Sequence, residues 1–372
     1  MTATKPWLEA LTLDKLHRVA VTVGSPCSGT KAVRLQGIRN AITDNNKKEK
    51  RYNEEGRRLI SLLSIDMGIR NLAYAHFTAK RVAPSETTTT APYTTPTLQA
   101  WSRLSVSDKR PAEEECVGGG SLQSDGGRRG NAQARAPRDD EEEEEEGRST
   151  TDQKESFEPD EYARHAYSLI KHMLQTYKPD VILIERQRFR SGGRAAVPEW
   201  TIRVGVFEGM LYAVLRTLIE SQKLKMDVEP MLPTRVNRYW LEGGQGGPDS
   251  RAIQSVTKKK KRPTGREVKS AKIDLVGRIL ENLDQSSPST SQVVNVGTNL
   301  RPFAEQFVSV WKKTEVARAK KGQTSKEKIS KLDDLADSFL QGLAWIHWQN
   351  NRQCLDSLGA DAVEYMKSGW PL

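Results

Sequence analysis

Acidic side chains stand at several places where the neighbouring sequence is apolar, and such positions are costly unless the carboxylate has a partner. Asp66 and Glu185 each end a strand-like apolar run, and a late segment holds Asp333, Asp334 and Asp337. Hard cations such as Mg²⁺ prefer oxygen ligands, and a pair of these ions can hydrolyse a phosphodiester bond. The five carboxylates therefore predict a catalytic centre that binds divalent metal ions.

The late acidic segment permits more than one set of ligands. Asp334 and Asp337 are three residues apart and Asp333 and Asp337 are four apart, so either pair shares one face of a helix. Two carboxylates on one face repel each other unless a cation lies between them. The predicted ligands are Asp66, Glu185, Asp334 and Asp337. For Asp333 three roles are open: a metal ligand, a residue that orients the ligands without binding the metal, or a helix cap.

Structural roles also account for the individual acidic residues. Asp66 precedes Gly68 and is interpreted alternatively as a turn-capping residue. Glu185 is interpreted alternatively as the partner of Arg186 or Arg188 in a salt bridge. An acidic first helical turn favoured by the helix dipole would explain Asp333.

Basic side chains cluster next to the second acidic position. Four arginines and a Gly-Gly pair follow Glu185, and arginine in such a loop is suited to phosphate contacts. Phe189, in the same loop, either stacks on bases or packs in the core. The predicted DNA contacts are Lys31, Arg70, Arg186, Arg188, Phe189, Arg190 and Arg194.

The charge of the chain predicts a polyanionic partner. The net charge is +10 over 372 residues, but residues 113–161 hold 17 acidic and 6 basic side chains, so the remainder carries +21. Such a surplus favours nucleic acid binding, with a basic surface kept for solubility as the alternative. The three cysteines and five histidines show no disulfide or zinc spacing, and no apolar run reaches the length of a membrane span.

The predicted organisation has four parts. Residues 1–45 form a helix–loop–helix module, 58–350 the main α/β domain, 107–156 a disordered acidic insertion and 351–372 a C-terminal extension. Between the first two, 45–58 are predicted to be a polar connector. Strands are predicted over 59–79 (two, with a turn at 67–71), 98–106, 181–186 and within 226–240. Helices are predicted over 158–177, 199–221, 266–282, 302–320 and from about 331 to 348.

Three motifs in this order resemble the RuvC-like Holliday-junction resolvases of the ribonuclease H-like superfamily, and specifically their fungal mitochondrial branch. The matching segments are 64–73 (SIDMGIRNLA), 184–190 (IERQRFR) and 333–338 (DDLADS). Ser28-Gly29-Thr30-Lys31, at the start of the second N-terminal helix, resembles the SAP motif, a DNA-binding unit that accompanies this branch. An ordinary helical hairpin is the alternative for the N-terminal module.

The resemblance implies a mixed five-stranded sheet flanked by helices and an endonuclease that resolves four-way DNA junctions with Mg²⁺, for which Mn²⁺ substitutes. It further implies paired symmetric nicks with 5′-phosphate products, a homodimer and a mitochondrial location, with no membrane partner. The apolar helix 199–221 is a possible dimer interface, although burial in the core explains it equally well. The alternatives are another ribonuclease H-like nuclease, acting on RNA–DNA hybrids or flaps, and a junction-binding scaffold without catalysis.

Overall fold

The computed structural model describes residues 6–82, 91–106, 158–187, 197–242, 264–281, 293–319 and 326–363. The described residues form a mixed α/β fold around one sheet, whose strand order is β5-β4-β1-β2-β3-β6. The strands are β1 (Leu59–Asp66), β2 (Leu72–Lys80), β3 (Thr97–Leu104), β4 (Val181–Glu185), β5 (Asp227–Met231) and β6 (Asn295–Val296). The predicted acidic insertion, 107–156, lies outside the described residues.

The sheet mixes parallel and antiparallel pairs. The strands β1, β2 and β3 are antiparallel neighbours, while β4 and β5 run parallel to β1 on its other side. Five strands were expected, and that number is wrong for the described residues. The sixth strand has two residues, and it arises because Asn295 and Val296 pair with the start of β3.

The helices are α1 (Pro6–Glu9), α2 (Leu13–Thr22), α3 (Lys31–Glu54), α4 (Pro159–Tyr177), α5 (Glu199–Gln222), α6 (Pro233–Leu241), α7 (Gly265–Glu281), α8 (Arg301–Ala319) and α9 (Lys326–Leu358). Side chains alternate between the two faces of a strand, which gives the sheet two separate cores. Leu63 and Ile65 of β1 face α4 and α5, whereas Ile60 and Leu62 face the side that α9 covers. Among the described helices, none combines the length and the apolar character that a membrane crossing requires.

Two predicted helix boundaries are wrong, because tertiary contacts extend the helices. The segment 45–58 was predicted to be a connector, but α3 continues to Glu54 and buries Asn45 and Tyr52. The last helix was predicted to end near residue 348, but α9 continues to Leu358 and buries Cys354 and Leu355. Packing stabilises both helical ends more than intrinsic propensity does.

The N-terminal helices share a core with α9. Leu8, Leu16 and Ile38 are fully buried in the same cluster as Trp345 and Trp348. The side chain of Thr30 caps α3 by accepting a hydrogen bond from the Val33 amide at 3.4 Å. A helical hairpin is therefore present, and the resemblance to a SAP motif stays a prediction.

Gly342 sets how closely α9 approaches the sheet. A Cβ atom at this position would lie 2.5 Å from Cε2 of Phe77 and 3.1 Å from Cβ of Ser64. Phe77 is fully buried, so its ring has no room to retreat. The helix can lie directly on β1 and β2 only because residue 342 has no side chain.

We expect Gly342→Ala to lower the free energy of unfolding by about 1–3 kcal/mol, the usual effect of overpacking a core. Gly265→Ala at the start of α7 is the matched control, because a Cβ atom there meets nothing within 4 Å. Alanine at that helical position is expected to leave stability unchanged or raise it by up to about 1 kcal/mol. Urea unfolding of both variants measures the difference, and equal stabilities would contradict the close-approach explanation.

Candidate active site

The strand register brings Asp66 and Glu185 together. In the parallel pair of β1 and β4, Ile65 lies opposite Ile184, so the two acidic residues that follow are neighbours at the same sheet edge. The alternation of side chains turns both carboxyl groups toward α9, because Leu62 and Leu183 also face that side. The negative charge of Glu185 raises the pKa of Asp66, as expected for two carboxyl groups that lie close together.

Three hydrogen bonds from two side chains hold α9 over these strand ends. The Gln341 side-chain amide donates to the Ser64 hydroxyl and to the Ile65 carbonyl, both at 3.1 Å. From β3, the Trp101 indole donates to the Leu335 carbonyl at 2.9 Å. Since Gln341 lies one helical turn after Asp337, these bonds bring the acidic end of α9 to the ends of β1 and β4.

Burial and like charges raise the pKa values of this cluster. Burial lifts the pKa of Asp66 well above its usual range, and the nearby carboxylates of Glu185, Asp337 and Asp334 add to the rise. Burial raises the pKa of Asp334 to about 7 although Arg103 opposes the rise. Burial likewise raises the pKa of Asp337 to about 7 although Lys272 opposes it. Four carboxyl groups from three distant segments therefore interact in one place.

Asp333 and Asp334 point to different partners. The Asp334 carboxylate lies 3.1 Å from Nε of Arg103, and its charge acts on Asp66. Asp333 is buried and lies 3.3 Å from Nζ of Lys269 and 3.6 Å from Nζ of Lys272. This arrangement favours Asp334 as the member of the pair that faces the strand ends.

A buried lysine enters the cluster from α7. Nζ of Lys272 hydrogen-bonds to both carboxylate oxygens of Asp337. Burial alone would lower the pKa of Lys272, but Asp337 and Asp333 raise it on balance. The ammonium group is therefore charged and neutralises part of the acidic cluster.

The donor set suits a hard divalent cation, although the side chains need to rearrange around it. In the described part of the chain, no group of three or more His, Cys, Asp or Glu side chains is already arranged to hold a metal ion. The physical reason is that Lys272 engages Asp337 and Arg103 lies against Asp334. Among the proposed ligands, the buried Oδ2 atom of Asp334 nevertheless forms no hydrogen bond with the described residues, although it lies 3.1 Å from Nε of Arg103. All-oxygen donors with unsatisfied lone pairs are what Mg²⁺ or Mn²⁺ requires.

Of the predicted DNA contacts, Arg70 and Arg186 lie close to the acidic edge. Arg70 lies in the turn after β1 and stacks on the Trp200 ring, with the guanidinium carbon 5.2 Å from the ring centroid. Arg186 is exposed directly after β4. Lys31 lies on the N-terminal helices and donates to the Glu9 carbonyl at 2.6 Å. Arg188, Phe189, Arg190 and Arg194 lie outside the described residues.

A hydrogen-bonded brace joins α5 to both acidic strand ends. The backbone N–H of Gln187 donates a hydrogen bond to Oε2 of Glu208 at 3.0 Å. The side-chain amide of Gln187 donates to the Met67 carbonyl at 3.5 Å. Burial raises the pKa of Glu208, and the Gln187 hydrogen bond opposes the rise. The residues following Asp66 and Glu185 are therefore held relative to each other and to α5.

Sequence reasoning missed Lys269, Lys272, Arg103 and Glu208. Lys272 carries a readable signal, because it shares the apolar stripe of α7 with Val276 and Leu280. A lysine in such a stripe must have an anionic partner. Arg103 and Glu208 carry no comparable signal, since both are ordinary polar positions beside a strand end or on a helix.

We expect the metal-free protein to lose stability as pH rises through the range from about 4 to 7. An unfolded aspartate has a pKa of about 3.9, while the folded-state pKa of Asp334 is about 7. The folded state therefore binds more protons in this window, and its advantage is lost as the carboxyl group ionises. Asp334→Asn removes this titrating group, so the free energy of unfolding should fall less steeply with pH, by up to about 1 kcal/mol per pH unit. Urea unfolding in EDTA between pH 5 and 8 measures the slope, and identical slopes would contradict the buried-carboxyl assignment.

A mixed sheet with carboxylates at the ends of neighbouring central strands, facing an acidic helix, defines an α/β protein with a carboxylate centre. The sequence matches the family described as mitochondrial resolvase Ydc2 / RNA splicing MRS1 over residues 62–355. That range covers most of the chain, so the protein belongs to this family. The predicted resemblance to fungal mitochondrial resolvases is confirmed.

Two curated relatives are both named cruciform cutting endonuclease 1, mitochondrial. The Saccharomyces cerevisiae protein is 25% identical over 230 residues, which are 55% of this chain and 59% of the relative. The Schizosaccharomyces pombe protein is 28% identical over 199 residues, or 52% of this chain and 60% of the relative. The chain thus matches about six tenths of each relative. The family and both relatives are described as mitochondrial, which confirms the predicted setting at the level of the family.

Two solved structures are similar at low identity. The crystal structure of the yeast mitochondrial Holliday junction resolvase Ydc2 is 19% identical, with a TM-score of 0.46, over 95% of this chain and 98% of that one. The Thermus thermophilus RuvC structure is 13% identical, with a TM-score of 0.28, over 70% of this chain and 97% of that one.

Proposed function

We propose that the protein is a Mg²⁺-dependent endonuclease that resolves four-way DNA junctions in mitochondria. The observation that carries the proposal is the convergence of Asp66, Glu185, Asp334 and Asp337 from three distant segments at one sheet edge, where their charges act on one another. Membership of a family described by a mitochondrial resolvase supports it, as do two relatives named for cutting cruciforms.

Asp66, Glu185, Asp334 and Asp337 would hold the divalent ions, with Mg²⁺ as the natural cation and Mn²⁺ as a substitute. When bound, such ions lower the pKa of water and neutralise charge on the phosphate and the departing 3′-oxygen. The carboxylates would then stay ionised, because a nearby dication outweighs the effects of burial and like charge. The products would carry 5′-phosphate and 3′-hydroxyl ends.

The protein itself would bind and orient the DNA. Arg186 is exposed directly after Glu185 and Arg70 follows β1 closely, so both residues lie on the chain next to the acidic strand ends and would contact phosphate there. The Glu208–Gln187–Met67 brace would fix the point from which the chain continues to Arg188, Phe189, Arg190 and Arg194. Lys31 would contact a junction arm farther from the cut.

Cutting two opposed strands requires two active sites, which implies a two-fold homodimer. Helix α5 is suited to the interface because Ile202 and Val206, one turn apart, are each 47% exposed although both are apolar. Its opposite face is buried in the core through Phe207, Leu211 and Leu215. The two explanations considered for this helix, core and interface, would therefore apply to different faces of it.

One alternative function has specific support. The family description also names an RNA splicing protein, so a chain of this family could bind structured RNA without cleaving DNA. The presence of all the predicted carboxylates in one cluster favours the nuclease over such a scaffold. Hydrolysis of RNA–DNA hybrids or flaps is the second enzymatic alternative.

Cleavage and binding assays on end-labelled nucleic acids of matched sequence test the proposal. The substrates are a four-way junction, a linear duplex, a flap, an RNA–DNA hybrid and a structured RNA. We expect symmetric nicks with 5′-phosphate ends in the junction only, dependent on Mg²⁺ or Mn²⁺ and abolished by EDTA. Comparable cutting of duplex, flap or hybrid would indicate a general ribonuclease H-like nuclease. Tight RNA or junction binding without cleavage would indicate the scaffold.

Asp66→Asn should abolish cleavage and preserve junction binding, because the amide keeps the shape of the carboxylate but loses its charge. Electrophoretic mobility shift in Ca²⁺ measures binding while the nicking assay measures cleavage. Survival of cleavage, or loss of binding as well, would rule out Asp66 as a metal ligand.

Val206→Arg should convert the dimer to a monomer, since a charge buried in an apolar interface is strongly unfavourable. Analytical ultracentrifugation gives the oligomeric state, and the junction assay should then show uncoupled single nicks. Tyr167→Arg is the control, because Tyr167 is a similarly exposed aromatic residue on the adjacent α4. Dimers that persist with Val206→Arg would exclude this face of α5 as the interface.

A further inference from the structure

Lys272 occupies an unusual position for a lysine. Its side chain is only 8% exposed, and the ammonium group contacts both oxygens of Asp337 while lying 3.6 Å from Asp333. The backbone around it is fixed, because Gly277 of the same helix lies directly against the Trp311 ring and Asp274 accepts a hydrogen bond from that indole at 3.0 Å. The lysine is therefore held by the fold at the acidic cluster.

The ammonium group and a divalent ion compete for the same atoms. Lys272 uses the two oxygens through which Asp337 would bind a metal ion, and an ammonium group also repels a dication at short range. The ammonium group and a metal ion cannot contact the same two oxygens of Asp337 at once. The entry of a metal ion at Asp337 therefore requires the lysine head group to leave.

Asp333 offers the ammonium group another acceptor. Its Oδ1 atom is buried, lies 3.6 Å from Nζ of Lys272 and has no hydrogen-bond partner among the described residues. The lysine stem is a flexible chain of four carbons, so a small change in its rotamers moves the head group over this distance. Lys269 already lies on the other oxygen of Asp333, at 3.3 Å, and leaves Oδ1 available.

We propose that Lys272 is an exchangeable counter-ion of the active site: it neutralises Asp337 in the metal-free protein and shifts to Asp333 when a divalent ion binds. The inference rests on the proposed metal-dependent function and assigns Asp333 as the acceptor of the lysine rather than a metal ligand. The acidic cluster is then charge-compensated both before and after the metal ion arrives.

Titration calorimetry of the EDTA-treated full chain with Mn²⁺ alone tests the exchange without relying on cleavage. Lys272→Met removes the competitor and should tighten Mn²⁺ binding by about 10-fold, the scale on which groups around a metal site change its affinity. The same variant should have a lower melting temperature in EDTA and a larger rise on adding Mn²⁺, because Asp337 lacks its counter-ion until the metal binds.

Two further variants separate exchange from a general charge effect. Lys269→Met removes a neighbouring charge that contacts Asp333 but is not within ion-pair distance of Asp337, and should change the affinity much less. Lys272→Arg should weaken Mn²⁺ binding, because a guanidinium group forms a stronger two-point pair with Asp337. This variant keeps the positive charge, so it is expected to fold even if Lys272→Met does not. Equal effects of the two methionine variants, or tighter binding by the arginine variant, would overturn the exchange.

Asp333→Asn completes a double-mutant cycle. It should weaken Mn²⁺ binding when Lys272 is present, because the displaced ammonium group loses its acceptor, and have little effect in the Lys272→Met background. A direct metal ligand would instead weaken binding by the same factor in both backgrounds, which would overturn the assignment of Asp333.

The outcomes distinguish the counter-ion inference from the proposed function. If the unaltered protein binds Mn²⁺ and Lys272→Met binds it equally well, the exchange is refuted while a metal-dependent function stands. If neither protein binds Mn²⁺, the metal-dependent function and the exchange are both refuted. If only Lys272→Met binds Mn²⁺ detectably, the lysine is the competitor that the proposal describes.

Discussion

The contact between α9 and the ends of the central strands is the constraint on which the candidate active site depends. Asp66 and Glu185 are fixed by β-sheet register, but the third acidic group belongs to a helix that follows in the sequence after about 140 further residues. The absence of a side chain at Gly342 and the two hydrogen bonds of Gln341 bring that helix down onto β1. A helix displaced outward by a few ångströms would leave four carboxyl groups too far apart to share an ion.

That close approach creates an electrostatic problem, which basic side chains from other elements solve. Carboxylates gathered in a buried place repel one another and lose their hydration. Arg103 from β3 pairs with Asp334 and Lys272 from α7 pairs with Asp337, so part of the negative charge is compensated by the protein itself. The same side chains contact the carboxylates that are proposed to bind a metal ion, so binding of a cation would require these ion pairs to rearrange.

The N-terminal helices contribute to the framework of the α/β domain. Arg51 and Tyr52 near the end of α3 bind the Asp227 carboxylate at the start of β5, the outer strand beyond β4. Arg57 pairs with Asp180, which accepts a hydrogen bond from the Ser61 amide of β1 at 2.8 Å. These contacts tie α3 and the segment after it to the parallel strands that carry Asp66 and Glu185.

The sequence by itself determined the family, most of the strands and helices in their order, and the acidic residues proposed for the centre. These features are local: an apolar run that ends in a carboxylate, or two acidic residues three or four apart, can be read along the chain. The tertiary structure decided which basic residues contact Asp333 and Asp334, how far α3 and α9 extend, and that Lys272 and Arg103 compensate the carboxylates. Those outcomes depend on contacts between segments that are distant in sequence, and no local pattern encodes the distance between two such segments.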